Sequence, residues 1–97
     1  MKSVFIIYNQ ALGEIVIKML DFLSIKGFTM WEDVKGRGTH TGEPHLGTHT
    51  WPAMNSAVLA VVENEQVQPL IDAVEKLNEK AEQQGIRAFV WAVEQSV

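Results

Sequence analysis

The order in which extended and helical apolar patterns follow one another constrains the fold of this chain more than any other feature. Short runs of β-branched and aromatic residues predict four strands, over residues 2–8, 28–35, 55–63 and 86–94. Apolar residues at helical spacing predict two helices, over 10–26 and from Asn64 or Glu65 to Gly85. This β-α-β-β-α-β order is typical of the split βαβ, or ferredoxin-like, fold. We therefore predict an α+β sandwich in which a four-stranded antiparallel sheet carries both helices on one face.

The apolarity of the strands predicts their places in that sheet. The runs "VFIIY" and "AVLAVV" are the most apolar, whereas "TMWEDVK" is the most polar. We expect the first and third strands to be central and the second strand to lie at an edge.

Three residues mark the predicted helix boundaries. Asn9 is placed to cap the first helix at its start, and Gly27 lies where a helix end favours a residue without Cβ strain. Pro69 is tolerated in the second helix only in or close to the first turn, because proline lacks an amide donor.

The composition narrows the class of protein. A chain of 97 residues predicts one domain, spanning 1–97. The net charge of −4 without a basic cluster argues against binding to nucleic acid. The absence of cysteine excludes disulfides and thiolate chemistry. The sequence has no apolar run near the roughly 20 residues that a membrane helix needs, and its start does not resemble a signal peptide. We expect a cytoplasmic protein.

The strands are apolar on both faces, which two helices cannot cover. Side chains alternate between faces along a strand, and in the first strand both Val4, Ile6, Tyr8 and the intervening Phe5, Ile7 are apolar. Leaving several such side chains exposed would forgo on the order of 10 kcal/mol and create an aggregation-prone patch. We predict that identical subunits cover the second face; a partner protein or a packed loop is the alternative.

All three histidines lie in the predicted loop at 36–53, as His40, His45 and His49. Imidazole is the commonest transition-metal ligand near neutral pH. With Glu43 as a carboxylate ligand or as an orienting group, these residues predict a site for zinc, nickel, cobalt or copper(II). Two alternatives stay open: the histidines are solvated loop residues, or they form pH-sensitive contacts.

A second candidate site lies at the start of the same loop. Backbone amides of Gly36, Arg37 and Gly38 could cradle an anion, with Arg37 and Arg87 as counter-charges. The alternative is ordinary loop geometry at the end of a strand. The tryptophans Trp31, Trp51 and Trp91 either line a ligand pocket or pack at an interface. No nucleophile with an adjacent base is evident, so we do not predict an enzyme.

The stretch "GFTMWEDVKGRGTHTG" (27–42) resembles the part of P-II signal-transduction proteins where the second strand enters a long flexible loop. The similarity includes Gly27, Thr29, Val34, Lys35, Gly36 and Gly38. The final "FVWAVEQSV" is similar to the last core strand of that family, with its Val-Glu pair at Val93 and Glu94.

The resemblance implies a trimer of ferredoxin-like subunits whose sheets face inward. It also implies a protruding loop that contacts partners such as membrane transporters and metabolic enzymes, and an adenine nucleotide in the cleft between subunits. This chain departs from the family before its last strand, where Arg87 replaces a glycine- and lysine-rich phosphate loop. It also departs in ending at Val97 without a basic tail and in lacking a loop tyrosine.

We therefore predict a non-catalytic, P-II-like regulatory homotrimer. Its histidine loop would bind a divalent transition metal and modulate a partner such as a metal-efflux transporter. The alternative function is a sensor of an adenine nucleotide or an anion, bound in the intersubunit cleft near Gly36–Gly38 and Arg87.

Overall fold

The predicted alternation of strands and helices is present in the computed structural model, which describes residues 1–37, 44–48, 53–80 and 85–97. The elements in chain order are β1 (Lys2–Asn9), a 3-10 turn (Gln10–Leu12), α1 (Gly13–Phe22), β2 (Thr29–Val34), β3 (Asn55–Val62), α2 (Asn64–Lys80) and β4 (Ile86–Ala92). The α+β, ferredoxin-like prediction is confirmed. The strands β2, β3 and β4 are shorter than predicted by one or two residues at some ends, whereas β1 continues one residue further, to Asn9.

The strands form one sheet in the order β2-β3-β1-β4. Every pairing is antiparallel, and β1 runs between β3 and β4 along its whole length. The two most apolar strands are central and the polar β2 is an edge, as their compositions predicted. A central strand has both of its backbone edges hydrogen-bonded to neighbouring strands, whereas an edge strand tolerates polar and charged residues better.

The start of the first helix follows the prediction, but its end does not. The Asn9 side chain accepts a hydrogen bond from the Ala11 amide at 2.9 Å, although it caps the 3-10 turn that precedes α1. Gly27 does not end the helix. The chain leaves α1 three residues earlier, at Ser24, whose φ is 60°.

The early end of α1 is a Schellman motif that buries Ile25. The Ile25 amide donates to the Leu20 carbonyl at 2.9 Å and the Ser24 amide donates to the Asp21 carbonyl at 3.0 Å. These are the two bonds that define the motif, and the residue at the position of Ser24 must be left-handed. Ile25 is only 4% exposed. Burial of Ile25 therefore decides where the helix ends. In return, Ser24 adopts a left-handed backbone conformation, which is unfavourable for a residue with a Cβ.

The second helix begins at Asn64, within the predicted range. The Glu63 amide donates to the Gln66 side chain at 2.9 Å, and the Gln66 amide donates to the Glu63 carbonyl at 3.0 Å. Pro69 is the sixth residue of α2, directly after the first turn, which agrees with the expected position close to that turn. Its missing amide leaves the Glu65 carbonyl without the usual helical partner. Among the described residues, no helix has the length and apolarity to cross a membrane.

The core lies between the sheet and the two helices. Helix α1 contributes Val16 and Leu20, and α2 contributes Leu70 and Val74. From the sheet come Val4, Ile6, Tyr8, Val58, Ala60, Val62 and Ile86. One set of alternating strand positions is thus covered by helices.

The other set of alternating strand side chains lies on the opposite face of the sheet. We call this the open face. Trp31, Val61, Phe89 and Trp91 on it are each 45–49% exposed. The Phe5 ring lies between two indoles, with centroids 6.2 Å from Trp31 and 6.3 Å from Trp91. The prediction that large apolar side chains occupy both faces is confirmed.

Candidate ligand site at the base of the loop

One end of the sheet brings together the segments that the sequence singled out. Where β1 ends, the Asn9 amide donates to the Gly85 carbonyl at 3.1 Å and the Gln10 amide donates to the Met54 carbonyl at 2.9 Å. These bonds place the start of β4 and the start of β3 at the same end of the sheet, on either side of β1. Because β2 runs antiparallel to β3, the exit of β2 into the loop lies at the same end.

The loop is closed at its base by His45. The Gly36 amide donates to the His45 carbonyl at 2.8 Å, and the His45 amide donates to the Gly36 carbonyl at 2.5 Å. The His45 ring is held by Asn55, with 2.5 Å between Nδ1 and the Asn55 Oδ1. Both side chains are buried, at 8% and 7% exposure. We call this arrangement the His45–Asn55 clamp.

The hydrogen bond in the clamp fixes the tautomer of the imidazole. An amide oxygen carries no hydrogen and can only accept. The proton of neutral His45 therefore lies on Nδ1, and Nε2 keeps its lone pair. A buried histidine oriented in this way is a structural element of the loop base, which sequence reasoning did not predict.

The clamp favours a glycine at position 36. A Cβ added to Gly36 would lie 3.2 Å from Nδ2 of Asn55, tighter than ordinary contact. Gly36 therefore belongs to the loop base because the backbone passes close to a buried side chain.

Arg87 lies on the open face near the same end. It pairs with Ile7 in register, and Ile7 pairs with Ala57 on the other side. The guanidinium lies 5.8 Å from the centre of the Phe89 ring, a cation–π distance. This contact orients an exposed cation beside the apolar surface.

A β-bulge shapes the exit of β2. The register between β2 and β3 shifts between Trp31 and Val34, and Asp33 has a left-handed φ of 59°. The Asp33 amide donates to Oε1 of Gln10 at 2.8 Å, and the same oxygen lies 3.3 Å from the Ser56 hydroxyl. A bulge bends the strand and changes the direction of the residues after it. Gln10 thus holds the segment that leads to Gly36.

Sequence reasoning missed Gln10 and the bulge. The only local signal was the pair Glu32-Asp33, which breaks the alternation of the second strand. The partner that stabilises the bulge is 23 residues away, and no periodicity identifies it.

Of the predicted metal ligands, the structure describes only His45. His40, Glu43 and His49 lie outside the described residues. Across the ranges that are described, no group of three histidine, cysteine, aspartate or glutamate side chains could hold a metal ion. The metal site stays a prediction. The reading of the histidines as solvated loop residues does not fit His45, because its ring is buried.

One backbone donor of the predicted anion cradle is already used in the structure. The Gly36 amide already donates to His45, so it is not free to bind an anion. Gly38 lies outside the described residues, whereas Arg37 and Arg87 are exposed. A cradle at this position would therefore depend on the two arginines more than on the glycine backbone.

The described tryptophans, Trp31 and Trp91, pack about Phe5 on the open face. Trp51 is outside the described residues.

The fold and the loop base are those of a ferredoxin-like domain in which His45 pairs with the segment that leaves β2. The family model for nitrogen regulatory protein P-II matches residues 1–97. The chain belongs to the nitrogen regulatory protein P-II family. The resemblance drawn from "GFTMWEDVKGRGTHTG" is confirmed.

Several solved structures are similar over most of this chain. CPII, a nitrogen regulatory PII-like protein from Thiomonas intermedia K12, was solved with ADP, AMP and acetate; it is 25% identical, with 92% of this chain and 81% of that chain covered and a TM-score of 0.73. CPII bound to ADP and bicarbonate is 26% identical, with 93% and 82% covered and a TM-score of 0.74. A PII-like signalling protein from Thermus thermophilus shares the fold at 19% identity, with 93% and 83% covered and a TM-score of 0.66. No curated protein matches the chain in sequence.

The His45–Asn55 clamp predicts a measurable coupling energy. Asn55→Ala leaves a buried imidazole N–H unpaired and should lower the free energy of unfolding by about 1–3 kcal/mol. A double-mutant cycle with His45→Ala should give a coupling of about 1 kcal/mol, measured by urea unfolding. The matched control is the exposed pair Gln68 and Asp72, whose side chains lie 2.8 Å apart on α2. That pair should couple by less than about 0.5 kcal/mol.

A coupling energy between His45 and Asn55 as small as that of the control pair would contradict a structural role for His45.

Proposed function

We propose that this protein is a non-catalytic cytoplasmic regulator that binds an adenine nucleotide, ADP or AMP, together with a small carboxylate-type anion at the loop base. The observation that supports this most is the position of Arg87 and Arg37. Two exposed arginines lie at the end of the sheet where the loop begins, beside a clamp that fixes its geometry. Related CPII structures were solved with ADP, AMP, acetate and bicarbonate.

The charges favour an anionic ligand at this end. The chain as a whole carries a net charge of −4. An exposed guanidinium presents planar N–H donors that match the oxygens of a phosphate or a carboxylate. Arg87 is partly oriented by the Phe89 ring, so less side-chain entropy is lost when it binds.

The open face supports a homotrimer with its sheets turned inward. Four large side chains on it, including two tryptophans, are nearly half exposed in the single chain. Aromatic residues in a contiguous apolar patch are typical of a subunit interface. Because Arg87 lies on this face, the nucleotide would sit where two subunits meet.

The loop base supplies a route from the ligand to a partner. Gly36 and Arg37 follow directly on the strand that the bulge redirects, and Gly36 is bonded to the clamp. A ligand that binds one arrangement of this segment more tightly would shift the population of loop conformations. The partner that reads the loop would be a membrane transporter or another regulatory protein.

Nucleotide binding is tested by isothermal titration calorimetry of ADP and AMP, each with and without bicarbonate or acetate. We expect saturable binding at micromolar affinity. Arg87→Ala should weaken it by at least about tenfold, since a hydrogen bond to a charged group contributes roughly 1.5–3 kcal/mol. Lys2→Ala removes one positive charge at the opposite end of β1 and should leave the affinity unchanged. Absence of binding, or equal loss in both variants, would refute the proposed site.

A second candidate function is binding of a divalent metal by the loop. One observation favours it: Asn55 holds the proton of neutral His45 on Nδ1 and leaves Nε2 as a lone-pair donor, the arrangement that metal-binding histidines commonly use.

The test of metal binding must leave the His45–Asn55 clamp intact. Because His45→Ala disturbs the loop base, the informative variant is His40→Ala with His49→Ala. Metal-stripped protein is titrated with zinc, nickel, cobalt and copper(II), and we expect micromolar binding that this double variant loses. Nucleotide affinity should not change. Metal binding that persists in the double variant would remove these two histidines from the site.

The trimer is tested by sedimentation velocity at micromolar concentration. We expect a species of three times the 10.9 kDa chain mass. Trp91→Glu places a charge in the open face and should yield monomers, because burying an unpaired carboxylate is costly. Phe22→Glu is the control, since Phe22 is 87% exposed on the helical side. A wild-type protein that sediments as a monomer would rule the trimer out.

A further inference from the structure

The bulge of β2 sets two residues against one. Glu32 and Asp33 both lie opposite the single residue Ser56 of β3. The pairs that bracket them are Trp31 with Ala57 and Val34 with Asn55. An extra residue in a strand is left without a partner in the ladder. It also shifts the register by one, which exchanges the faces of all the residues that follow. In a regular register without the bulge, Asp33 would stand opposite Asn55.

Gln10 supplies the partner that the bulge needs. Its Oε1 accepts from the Asp33 amide at 2.8 Å and from the Ser56 hydroxyl at 3.3 Å, so this oxygen contacts both strands at the bulge. The Gln10 amide donates to the Met54 carbonyl at 2.9 Å, in the segment that returns from the loop. One residue at the end of β1 thus joins the exit of the loop to its return.

The bulged register is unfavourable for the backbone of Asp33. Its φ of 59° lies in the left-handed region, which glycine enters freely and which residues with a Cβ rarely adopt. Asp33 is exposed, so burial of its side chain does not stabilise this conformation. The hydrogen bond to Gln10 is therefore the interaction that offsets the unfavourable φ.

The His45–Asn55 clamp fits the bulged register and not the regular one. In the bulged register position 36 faces Asn55, because a Cβ there would lie 3.2 Å from the Asn55 Nδ2. A glycine occupies this position. In the regular register the faces would be exchanged, and Lys35 or Arg37 would take the place of Gly36. Either side chain would collide with the Asn55 amide that holds the His45 ring.

We propose that Gln10 is the positioning residue of the loop. Its side-chain oxygen holds β2 in the bulged register, and this register is the one in which the His45–Asn55 clamp forms. The two registers turn opposite faces of the loop entry to a given side of the sheet. Gln10 thereby decides which side chains of the entry point to each side. The inference follows from the pairing of β2 with β3 and does not rest on the nucleotide or the metal proposed above.

The test observes the loop base by NMR of the full-length protein. In mildly alkaline buffer, where imidazole is neutral, wild-type His45 should show the Nδ1–H tautomer. Gln10→Leu removes the acceptor and keeps a side chain of similar size. We expect His45 to lose this tautomer signature. The amides of Gly36 and His45 should exchange with solvent roughly fivefold faster, the factor that corresponds to one lost hydrogen bond. The amides of β1 should exchange as in the wild type.

The matched control for this substitution is Gln68→Leu. It removes the same side chain from an exposed pair on α2, where Gln68 donates to Asp72 at 2.8 Å. Because this pair lies outside the loop base, we expect the His45 tautomer and both amide exchange rates to stay at their wild-type values.

Rescue separates a role in register from general stabilisation. Asp33→Gly in the Gln10→Leu background should restore the tautomer and the slow exchange, because glycine adopts a left-handed φ without strain. Ser24→Gly is the control for the rescue. Ser24 has nearly the same φ, 60°, but lies at the end of α1. Glycine at position 24 relieves a similar strain without touching β2 and should not restore the loop base.

A third variant tests the proposal with Gln10 in place, and it applies also if Gln10→Leu does not fold. Asp33→Val puts a β-branched residue at a φ that such residues strongly disfavour. We expect it to reproduce the loss of the His45 tautomer and the faster exchange of the Gly36 amide.

Any of three results would overturn the inference. The first is a wild-type tautomer of His45 in Gln10→Leu or in Asp33→Val. The second is an equal rise of exchange in β1 and at the loop base, which would make Gln10 a general stabiliser of the domain. The third is a rescue by Ser24→Gly as complete as that by Asp33→Gly.

Discussion

Two helices can cover only one face of a four-stranded sheet, and this constraint governs the rest of the molecule. The covered face buries Val4, Ile6 and Tyr8 of the central strand, whereas Phe5 on the alternate position packs between two half-exposed indoles. A subunit built in this way needs something against its open face. On the helical side, the same shortage of cover leaves a pocket between the first turns of α1 and the edge strand β2. The open face and this pocket have one geometric origin.

The loop base shows how a small domain can hold the start of a long loop through hydrogen bonds. A pair of backbone bonds joins Gly36 to His45, and the His45 ring is buried against Asn55. The bulge at Asp33 sets the direction in which the strand enters this hairpin, and Gln10 holds the bulge. Each contact joins residues that are not neighbours in sequence, so the loop base forms only together with the sheet on which it rests. A ligand bound there would act on this segment.

The side of the sheet with the open face presents the exposed Arg87, and Arg37 follows the exit of β2 at the same end. Guanidinium groups suit phosphates and carboxylates. The bulge at Asp33 directs the segment that carries Arg37, so it is the element through which an anionic ligand held there would alter the loop.

The sequence by itself determined the order of the elements, the central places of β1 and β3, the cap at Asn9 and the family. These depend on local periodicity, composition and short motifs, which are properties of neighbouring residues. Tertiary structure alone decided that α1 ends at Phe22 and not near Gly27, because the contact that stops the helix is the burial of Ile25 in a core formed by the whole chain. It also decided that His45 is a buried clamp residue and that Gln10 holds the bulge. Their partners, Asn55 and Asp33, are brought near only when the sheet closes, and no local pattern encodes a contact that depends on that closure.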